Sequence, residues 1–383
     1  MKIAVLSTDS REQIHDYTNP FPSFGTAPQA LFEGFAEFPD VKVHIVSCLR
    51  KPVSSPKNLA SNIWYHSLHV PRIGWMRTFY QGCIRAVRKK LREINPDIVH
   101  GQGTERDCAI SSVLSGFPNV VTIHGNMREL SRLFSSRVGS YVWLAGKLED
   151  FALKRTCGVF CNSHYTQGLI ERRSPKTWLI PNAIREKFFT QPIRKQKSDR
   201  CVLVNVGVIS PRKRQLELLE MASRLHRAGY RFEFQFVGPA SSKDPYARTF
   251  LERIRESDHE GYARHLGVRD TDSLISIFDS ASALVHFPSE EAFGLVVAEA
   301  LARNLKFFGS HVGGIVDIAA GAQGAELFGI NDFSELEHRI GAWIQSGYPQ
   351  GQETATLIKE RYHPKVIARR HIEIYEETLG KRS

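Results

Sequence analysis

The chain has 383 residues, a formal net charge of +11, 42% hydrophobic residues and 24% charged residues. This length predicts two or three domains of ordinary size, and the composition is that of a soluble globular protein. Its apolar runs are far shorter than the roughly 20 residues that span a bilayer, and the first of them, Ile3–Leu6, is too short for a secretory signal.

Cysteine usage and charge distribution narrow the class of protein further. Six cysteines form no C-x-x-C pair and no zinc-type spacing, so we expect reduced thiols in a cytoplasmic protein. The positive charge is concentrated in residues 1–185, which contain 24 Lys and Arg against 14 Asp and Glu. Nucleic acid, anionic lipid and phosphorylated substrates would all suit this half, and the charge alone does not choose among them.

Short apolar strands alternate with helices in the first half of the chain. The predicted strands are Lys2–Ser7, Val41–Ser47, Ile98–Gly101, Val120–His124, Val159–Asn162 and Trp178–Ile180, and the predicted helices are Ala27–Phe38 and Trp75–Ile94. Strands that are apolar throughout and separated by helices predict a parallel sheet covered on both faces.

The predicted helix Trp75–Ile94 is both amphipathic and basic. Its apolar side carries Trp75, Phe79 or Tyr80, Ile84, Val87 and Leu91, and its polar side carries Arg77, Arg85, Arg88, Lys89 and Arg92. This pattern is typical of a helix that lies on an anionic membrane. It is equally typical of a surface helix that packs on a sheet, and both interpretations stay open.

The same alternation resumes after a polar stretch at Thr190–Arg200. The predicted strands are Val202–Val208, Phe232–Val237, Ala283–Phe287 and Leu305–Gly309, and the predicted helices are Gln215–Ala228, Leu274–Ser280 and Val296–Ala302. We therefore predict Rossmann-like domains at 1–185 and 200–362, with a helix at about 363–383 that packs back on the first. Neither G-x-G-x-x-G nor a P-loop motif is present.

One apolar helix in the second half carries a single carboxylate. From Gly294 to Ala302 every residue is small or apolar except Glu299, and Glu291 comes just before this segment. A buried carboxylate without partners costs several kcal/mol or takes up a proton, so Glu299 must receive hydrogen bonds. Gly294 allows a close approach to the backbone, and the first helical turn favours an anion. A helix start at Phe293 places Glu299 about 9 Å along the axis, roughly the reach of a nucleotide sugar.

This segment resembles the E-x7-E signature of retaining GT-B glycosyltransferases of family 4, P-S-x-x-E-x-F-G-[LI]-x-x-x-E-A. The matching residues are Pro288, Ser289, Glu291, Phe293, Gly294, Leu295, Glu299 and Ala300. Two glutamates at this spacing are common on solvated helices, whereas the Pro-Ser, the Phe-Gly and the apolar helix around them are specific. The alternative to a donor site is a core helix whose one glutamate has its hydrogen bonds satisfied. The resemblance implies an α/β protein of the GT-B fold, with two Rossmann-like domains facing a central cleft.

The resemblance also implies a basic site for the donor diphosphate. The segment Gly207–Gln215 resembles G-R-L-x-x-x-K-[GN], with Lys213 at the lysine position and Val208 where the family has arginine. A missing guanidinium removes charge-assisted hydrogen bonds worth about 1.5–3 kcal/mol each. Either Arg212 or Arg214 replaces it, or the donor is held differently. The alternative to a diphosphate site is an ordinary basic turn that is exposed to solvent.

Further matches to the family are found at predicted strand ends. The segment Pro22–Ala27 resembles the family's glycine-rich loop, reduced here to Gly25, although an ordinary loop glycine would look the same. The element Thr122–Gly125 matches T-x-H-[GD], which implies that His124 lies beside the transferred sugar unless it is structural. In the family, loops equivalent to those at Gly238 and Val268 frame the nucleotide base. One departure is Arg303–Lys306, where the family has a C-G-x-P turn.

Taken together, the resemblance implies a hexosyltransferase-type enzyme. It would move a sugar from a nucleotide diphosphate sugar to an acceptor hydroxyl with retention of configuration, in polysaccharide, lipopolysaccharide or glycolipid assembly. The predicted catalytic residues are His124, Glu291 and Lys213. The predicted donor-binding residues are Gly25, Lys213, Arg212, Gly238, Val268, Glu291, Ala292, Phe293, Gly294, Leu295 and Glu299. Glu299 would bind the ribose and Glu291 the sugar, while Lys213 and the helix N-terminus would stabilise the leaving diphosphate.

No metal ion or other cofactor is expected, since the resemblance is to GT-B enzymes that work without a bound metal. The expected partners are the donor, a carbohydrate or lipid-linked acceptor and the surface of an anionic membrane, without nucleic acid. The expected location is cytoplasmic or peripheral on the inner face of the membrane. Two other functions remain open: a GT-B nucleotide-sugar epimerase or hydrolase, and a non-catalytic GT-B protein that binds an anionic partner.

Overall fold

The structure is a computed structural model that describes residues 1–133, 135–194, 199–349, 351 and 353–380. It divides into two compact units, residues 1–185 with 362–380, and residues 186–361. The polar stretch predicted at Thr190–Arg200 lies partly outside the described residues. Each unit is a parallel α/β sheet with helices, so the predicted class of two Rossmann-like domains is confirmed.

The first unit contains the N-terminal strands and helices. Its strands are β1 (Lys2–Leu6), β2 (Lys42–Leu49), β3 (Asn58–Ala60), β4 (Ile63–His69), β5 (Ile98–Gln102), β6 (Asn119–Ile123), β7 (Val159–Cys161) and β8 (Thr177–Leu179). Its N-terminal helices are α1 (Ser10–Ile14), α2 (Thr26–Ala36), α3 (Gln81–Ile94), α4 (Asp107–Val113), α5 (Met127–Leu133), α6 (Tyr141–Leu153) and α7 (His164–Ile170). The pair β3–β4 lacks the long apolar runs of its neighbours and was not predicted.

The described strands of this unit form one sheet in the order β3-β4-β2-β1-β5-β6-β7-β8. Only the β3–β4 pair is antiparallel. The chain moves outward from β1 to β2 on one side and then returns to place β5 on the other side of β1. Ligands of open α/β sheets bind beyond the carboxyl ends of the strands at such a reversal, so the ends of β1 and β5 mark a place for a site.

The predicted helix Trp75–Ile94 begins later than expected. Helix α3 starts at Gln81, because Phe79 and Tyr80 have left-handed backbone angles (φ 50° and 60°) that a continuous helix cannot contain. The preceding residues form two short 3-10 turns, Arg72–Gly74 and Met76–Thr78. Of the two aromatic residues predicted as alternatives for the apolar side, Tyr80 is buried and Phe79 is exposed, so Tyr80 belongs to that side.

The apolar side of α3 belongs to the protein core. Ile84, Val87 and Leu91 are buried in one cluster with side chains of the sheet, while Arg85 and Arg88 are exposed. The helix therefore packs on the sheet, as one of the two interpretations predicts, and its apolar stripe is not free to insert into lipid. Among the described residues, no helix is both long enough and apolar enough to cross a membrane.

A C-terminal helix completes the first unit. It packs on α2, where a Cβ atom on Gly34 would lie only 2.2 Å from the carbonyl oxygen of Pro364. Tyr375 is fully buried, and its hydroxyl lies 2.5 Å from Nδ1 of His100 on β5. Nε2 of His100 lies 2.7 Å from Oγ1 of Thr122. His100 is thus a core residue of the first unit.

The buried histidines of the first unit predict acid lability. Burial lowers the pKa of His371 to about 4 and holds that of His100 well below its usual value. The unfolded chain, whose histidines titrate near 6.5, therefore binds more protons than the folded chain between about pH 6.5 and pH 4. We expect the melting temperature to fall as the pH is lowered through this window, measured by calorimetry.

The variant His371→Phe should reduce this pH dependence, since it removes one neutral buried imidazole. The matched variant His69→Phe changes an exposed histidine of the same unit and should keep the pH dependence of the wild type. Equal pH slopes for wild type and His371→Phe would contradict the assignment.

The second unit contains the other sheet. Its strands are β9 (Cys201–Val206), β10 (Phe232–Val237), β11 (Ala263–Gly267), β12 (Ala283–His286), β13 (Lys306–Ser310) and β14 (Ala325–Phe328). Its helices are α8 (Lys187–Thr190), α9 (Gln215–Arg227), α10 (Pro245–His259), α11 (Thr271–Ser280), α12 (Leu295–Leu301), α13 (Ile315–Ala319), α14 (Phe333–Gln345) and α15 (Ala355–Tyr362). Helix α15 ends where the second unit ends and the chain returns to the first. The C-terminal helix of the first unit, described above, is α16 (Pro364–Thr378).

These described strands are ordered β11-β10-β9-β12-β13-β14, and all pairs are parallel. The chain reverses between β9 and β12, so the carboxyl ends of these two strands form the corresponding edge of the second unit. The core beneath is rich in phenylalanine, with Phe234, Phe236, Phe250 and Phe287 fully buried in one cluster.

A buried arginine ties the start of the second unit to its sheet. Arg303 follows α12, has no exposed surface and donates from Nε and Nη2 to the carboxylate of Asp279 at 3.0 and 2.7 Å. The same guanidinium donates to the carbonyl oxygens of Phe188, Gln191 and Pro192 at 3.2, 2.6 and 3.0 Å. Because a buried charge needs such partners, Arg303 has a structural role in this unit.

Candidate functional site

A charged cluster lies where β9 and β12 end in the second unit. Lys213 closes the 3-10 turn Pro211–Lys213 that follows β9, and Glu291 follows β12. The side chain of Gln215 fixes this turn, because its Oε1 accepts from the amide of Ser210 and its Nε2 donates to the carbonyl of Val208, both at 3.1 Å. The cluster therefore occupies the reversal point of the sheet.

The centre of the cluster is the ion pair between Nζ of Lys213 and Oε2 of Glu291. His286, fully buried at the end of β12, places Nε2 at 3.4 Å from both of these atoms. Burial opposes ionisation of Glu291, but the ammonium of Lys213 outweighs it and holds the pKa of this carboxyl well below its usual range. Burial and the same ammonium lower the pKa of His286 to about 4. At neutral pH the cluster is thus Lys⁺, Glu⁻ and neutral His.

The two arginines proposed to replace the missing guanidinium at Val208 have different surroundings. Arg212 donates to the carbonyl and carboxylate of Glu290 at 2.9 and 3.2 Å, and its Nη1 lies 4.0 Å from Oε1 of Glu291. Arg214 instead turns away: it donates to the carbonyl of Ile330, and its guanidinium carbon lies 4.5 Å from the ring centroid of Phe333. Arg212 is therefore the arginine beside Glu291.

The loop from Glu290 to Gly294 is held by the backbone of a second loop. The amide of Gly314 donates to the carbonyl oxygen of Glu291 at 3.0 Å. A Cβ atom on Gly313 would lie 1.8 Å from that same oxygen, and its φ of +51° disfavours any other residue. Gly294, with φ +97°, begins α12. These contacts fix the orientation of the Glu291 side chain toward Lys213.

The other donor-binding residues predicted in this unit lie around the same strand ends. Glu299 is buried on α12, Phe293 is buried, and Ala292 and Leu295 are half-buried. Gly238 follows β10, and a Cβ atom there would lie 2.1 Å from the carbonyl oxygen of Gly207. Val268 follows β11 and is 67% exposed. Arg212 and Lys213 contact the loop Glu290–Gly294 directly. Gly238 and Val268 lie instead just after the neighbouring strands β10 and β11.

His124 lies at the carboxyl end of β6 in the first unit. It is half-buried, and its Nε2 lies 2.8 Å from Oε1 of Gln102 at the end of β5. Burial lowers its pKa to about 4, so the imidazole is neutral at physiological pH and can donate or accept a hydrogen bond. Gly25 is the N-cap of α2, with an ordinary φ of −55° and no close neighbour beyond Pro28.

The structure adds one residue that the sequence analysis missed. The carboxylate of Glu105 accepts from the amide of Gly125 at 2.9 Å, beside His124. Burial raises the pKa of Glu105 to about 7, so it can exchange a proton near neutral pH. The sequence could have indicated Glu105 through its position just after β5, because open α/β sheets bind ligands at that edge.

One group of side chains in the first unit has the composition of a metal site. The ligand atoms of Cys48, Cys83 and Asp107 lie within 4.8 Å of one another and are buried. The neighbouring thiol and burial raise the pKa of Cys48 well above its usual value, and burial raises that of Asp107. Cys48 and Cys83 are free thiols in the core of the first unit.

Comparison with known proteins agrees with the fold. The family described as "Glycosyl transferases group 1" matches residues 186–361, and the family described as "Glycosyltransferase Family 4" matches residues 30–188. Fold and matches together define a glycosyltransferase. The chain belongs to the family 4 glycosyltransferases with the GT-B fold, which confirms the predicted resemblance.

Solved structures share this fold at low sequence identity. A sucrose-phosphate synthase from Thermosynechococcus elongatus superposes with a TM-score of 0.77 at 16% identity, covering 100% of both chains. The Anabaena protein HepE in complex with UDP and glucose gives 0.71 at 17% identity, covering 98% of this chain and 100% of HepE. The likeness shows the fold.

Curated relatives include the phosphatidylinositol N-acetylglucosaminyltransferase GPI3 subunit of Saccharomyces cerevisiae. The identity is 24% over 305 residues, which are 76% of this chain and 65% of the yeast protein. The chain thus spans slightly less than two thirds of the length of that relative.

Proposed function

We propose that this glycosyltransferase moves a hexosyl group from a nucleotide diphosphate sugar to an acceptor hydroxyl with retention of configuration. The observation that carries the proposal is the Lys213–Glu291 pair at the carboxyl ends of β9 and β12. A fixed ammonium stabilises the negative charge that develops on a leaving diphosphate, and a fixed ionised carboxylate accepts hydrogen bonds from sugar hydroxyls. No resident metal ion or cofactor is part of this proposal, because Lys213 and Arg212 provide the positive charge.

The remaining roles follow from the chemistry of each residue. Glu299 binds the ribose hydroxyls of the donor, and the backbone at Gly238 and Val268 lies against the base. His124, neutral at physiological pH, exchanges a hydrogen bond with a hydroxyl of the transferred sugar. Gly25 allows the first loop to approach the donor phosphates. The UDP and glucose bound to HepE support a nucleotide-sugar donor for this chain.

The acceptor is proposed to be a carbohydrate or a lipid-linked molecule. The phosphatidylinositol in the name of the yeast relative supports the lipid-linked class. The exposed arginines Arg85 and Arg88 of α3 support peripheral contact with an anionic membrane, since each basic side chain near such a surface contributes about 1 kcal/mol.

The decisive experiment is a thermal-shift panel of nucleoside diphosphates and their sugars. One of them should raise the melting temperature, since a ligand at 100 times its Kd adds about 2.7 kcal/mol to native stability. Glu299→Ala should remove most of this shift. Glu335→Ala, an exposed acidic residue of α14 in the same unit, is the matched control and should keep it. If no nucleotide sugar binds, the proposal is wrong.

A nucleotide-sugar epimerase or hydrolase shares the donor site but needs no acceptor. Donor consumption measured with and without a cell-free acceptor extract distinguishes the two reactions, since only a transferase depends on the extract. The non-catalytic alternative is favoured by Val208, which is 57% exposed where the family has an arginine. Donor binding without donor consumption in either condition would support that alternative.

A further inference from the structure

A polar pocket of about 290 Å³ lies in the first unit at the carboxyl ends of its central strands. Glu12 on α1 follows β1, Arg50 follows β2 directly, and Arg106 follows β5. These strands are neighbours in the order β2-β1-β5, and the chain reverses between β1 and β5. The pocket therefore occupies the place where open α/β sheets bind ligands, and its volume is at about the lower end for small-molecule sites.

Two guanidinium groups share one carboxylate in this pocket. Oε1 of the fully buried Glu12 lies 3.3 Å from Nε of Arg50 and 3.5 Å from Nη2 of Arg106. Its Oε2 already accepts from the hydroxyl of Tyr17 at 2.7 Å and from the amide of Arg50 at 2.9 Å. Both guanidinium carbons lie over the ring of Trp75, 4.9 and 5.2 Å from its centroid. One carboxylate thus faces two cations that an aromatic ring holds in place.

The two arginines have hydrogen-bond donors to spare. Within the described residues, the side chain of Arg106 donates one hydrogen bond, at 3.5 Å, and Nε of Arg50 is buried without a partner of good geometry. A guanidinium carries five N–H donors in a planar fork that matches the oxygens of a phosphate. Arg106 also faces the buried carboxyl of Asp107, so the case for a phosphate rests on the remaining guanidinium donors, which favour an oxyanion over an apolar ligand.

Two hydrogen bonds connect the pocket to the turn that carries His124. Tyr141 lines the pocket, and its hydroxyl donates to the carbonyl oxygen of Glu105 at 2.6 Å. The carboxylate of Glu105 accepts in turn from the amide of Gly125. The wall of the pocket is thus linked to the backbone of Gly125, which follows His124, the residue proposed to contact the transferred sugar.

We propose that Arg50 and Arg106 bind a phosphate group of the acceptor substrate, so that the acceptor is a phosphorylated sugar or a phospholipid headgroup. This inference rests on the proposed transferase function and adds the class of the acceptor. Glu12 positions both arginines, and Trp75 holds their planes.

The test is isothermal titration of the full chain with inorganic phosphate and with glucose 6-phosphate at constant ionic strength. Arg50→Gln and Arg106→Gln should each weaken binding at least about tenfold, because each removes a forked donor. Arg50→Lys and Arg106→Lys keep the positive charge beside Glu12 and hence the fold. They should also weaken phosphate binding. The matched control is Arg172→Gln, an exposed arginine of the same unit that should bind like wild type.

The source of the phosphate is separated by flotation with phosphatidylcholine vesicles that contain or lack phosphatidylinositol. Binding to phosphatidylinositol that glucose 6-phosphate displaces indicates a lipid headgroup, and binding of the soluble ester alone indicates a sugar phosphate. No phosphate binding, or equal binding by wild type and the arginine variants, overturns the inference. The thermal shift induced by the nucleotide found in the panel is measured in the same samples, so loss of donor binding is recognised as failure of the proposed function instead.

Discussion

Replacing Lys213 by alanine is expected to slow turnover of the nucleotide sugar by about 10²–10³-fold, the usual loss when one preorganised charge-stabilising donor is removed. Lys213 lies in an ion pair with Glu291, and it is the ammonium closest to that carboxylate in the cluster. Without it the pKa of Glu291 should rise, because burial is then opposed less strongly, with Arg212 at 4.0 Å as the remaining cation of the cluster. Release of nucleoside diphosphate from the donor found in the thermal-shift panel measures the effect.

The matched control is Lys243→Ala, which removes an exposed lysine of the same unit and should leave turnover unchanged. Lys213→Arg keeps the positive charge but not the shape of the ammonium, so we expect an intermediate rate. A rate for Lys213→Ala within a factor of three of wild type would show that the diphosphate is stabilised elsewhere. The role assigned to Lys213 would then be withdrawn.

Replacing Arg303 by alanine is expected to lower the free energy of unfolding of the second unit by about 3–5 kcal/mol, the range for breaking a buried ion pair. The change leaves the carboxylate of Asp279 without its guanidinium and three carbonyl oxygens without their donor. Urea denaturation followed by tryptophan fluorescence measures the loss. Trp343 reports on this unit because it is buried in its core.

A double variant separates the buried charge from the lost contacts. Arg303→Ala with Asp279→Asn no longer buries an unpaired carboxylate, so it should recover part of the stability that Arg303→Ala loses. Arg248→Ala, in which an exposed arginine of α10 is removed, should cost less than about 0.5 kcal/mol. A loss of that small size for Arg303→Ala would contradict the anchoring role.

Much of the fold could be predicted because its strands are apolar and separated by helices. The strand Phe232–Val237 has the predicted bounds, and others differ by one or two residues at their ends. The errors have local causes. Helix α3 begins six residues late because Phe79 and Tyr80 adopt left-handed angles that an apolar periodicity does not reveal. Strand β3 has only three residues at the sheet edge, and β4 mixes histidine and serine with its apolar residues, so neither shows a long apolar run.

The candidate site was only partly visible in the sequence. Glu291 and Lys213 could be found from motifs, but their mutual contact joins loops that are far apart in the chain. The choice between Arg212 and Arg214 also needed coordinates, since the left-handed angle at Arg214 sends its side chain toward Ile330. Glu105 and Arg50 carry no motif. Their placement results from the order of the strands, which periodicity does not provide.

The position of α16 has a consequence for how the protein is made. The N-terminal unit includes Tyr375, whose hydroxyl reaches His100 on β5, yet the ribosome adds this tyrosine after all of residues 186–361. While the second unit emerges and folds, the first must wait with its α2 surface uncovered. A fragment that stops at Arg185 should therefore bind chaperones or aggregate, and adding α16 as a separate peptide should restore its solubility.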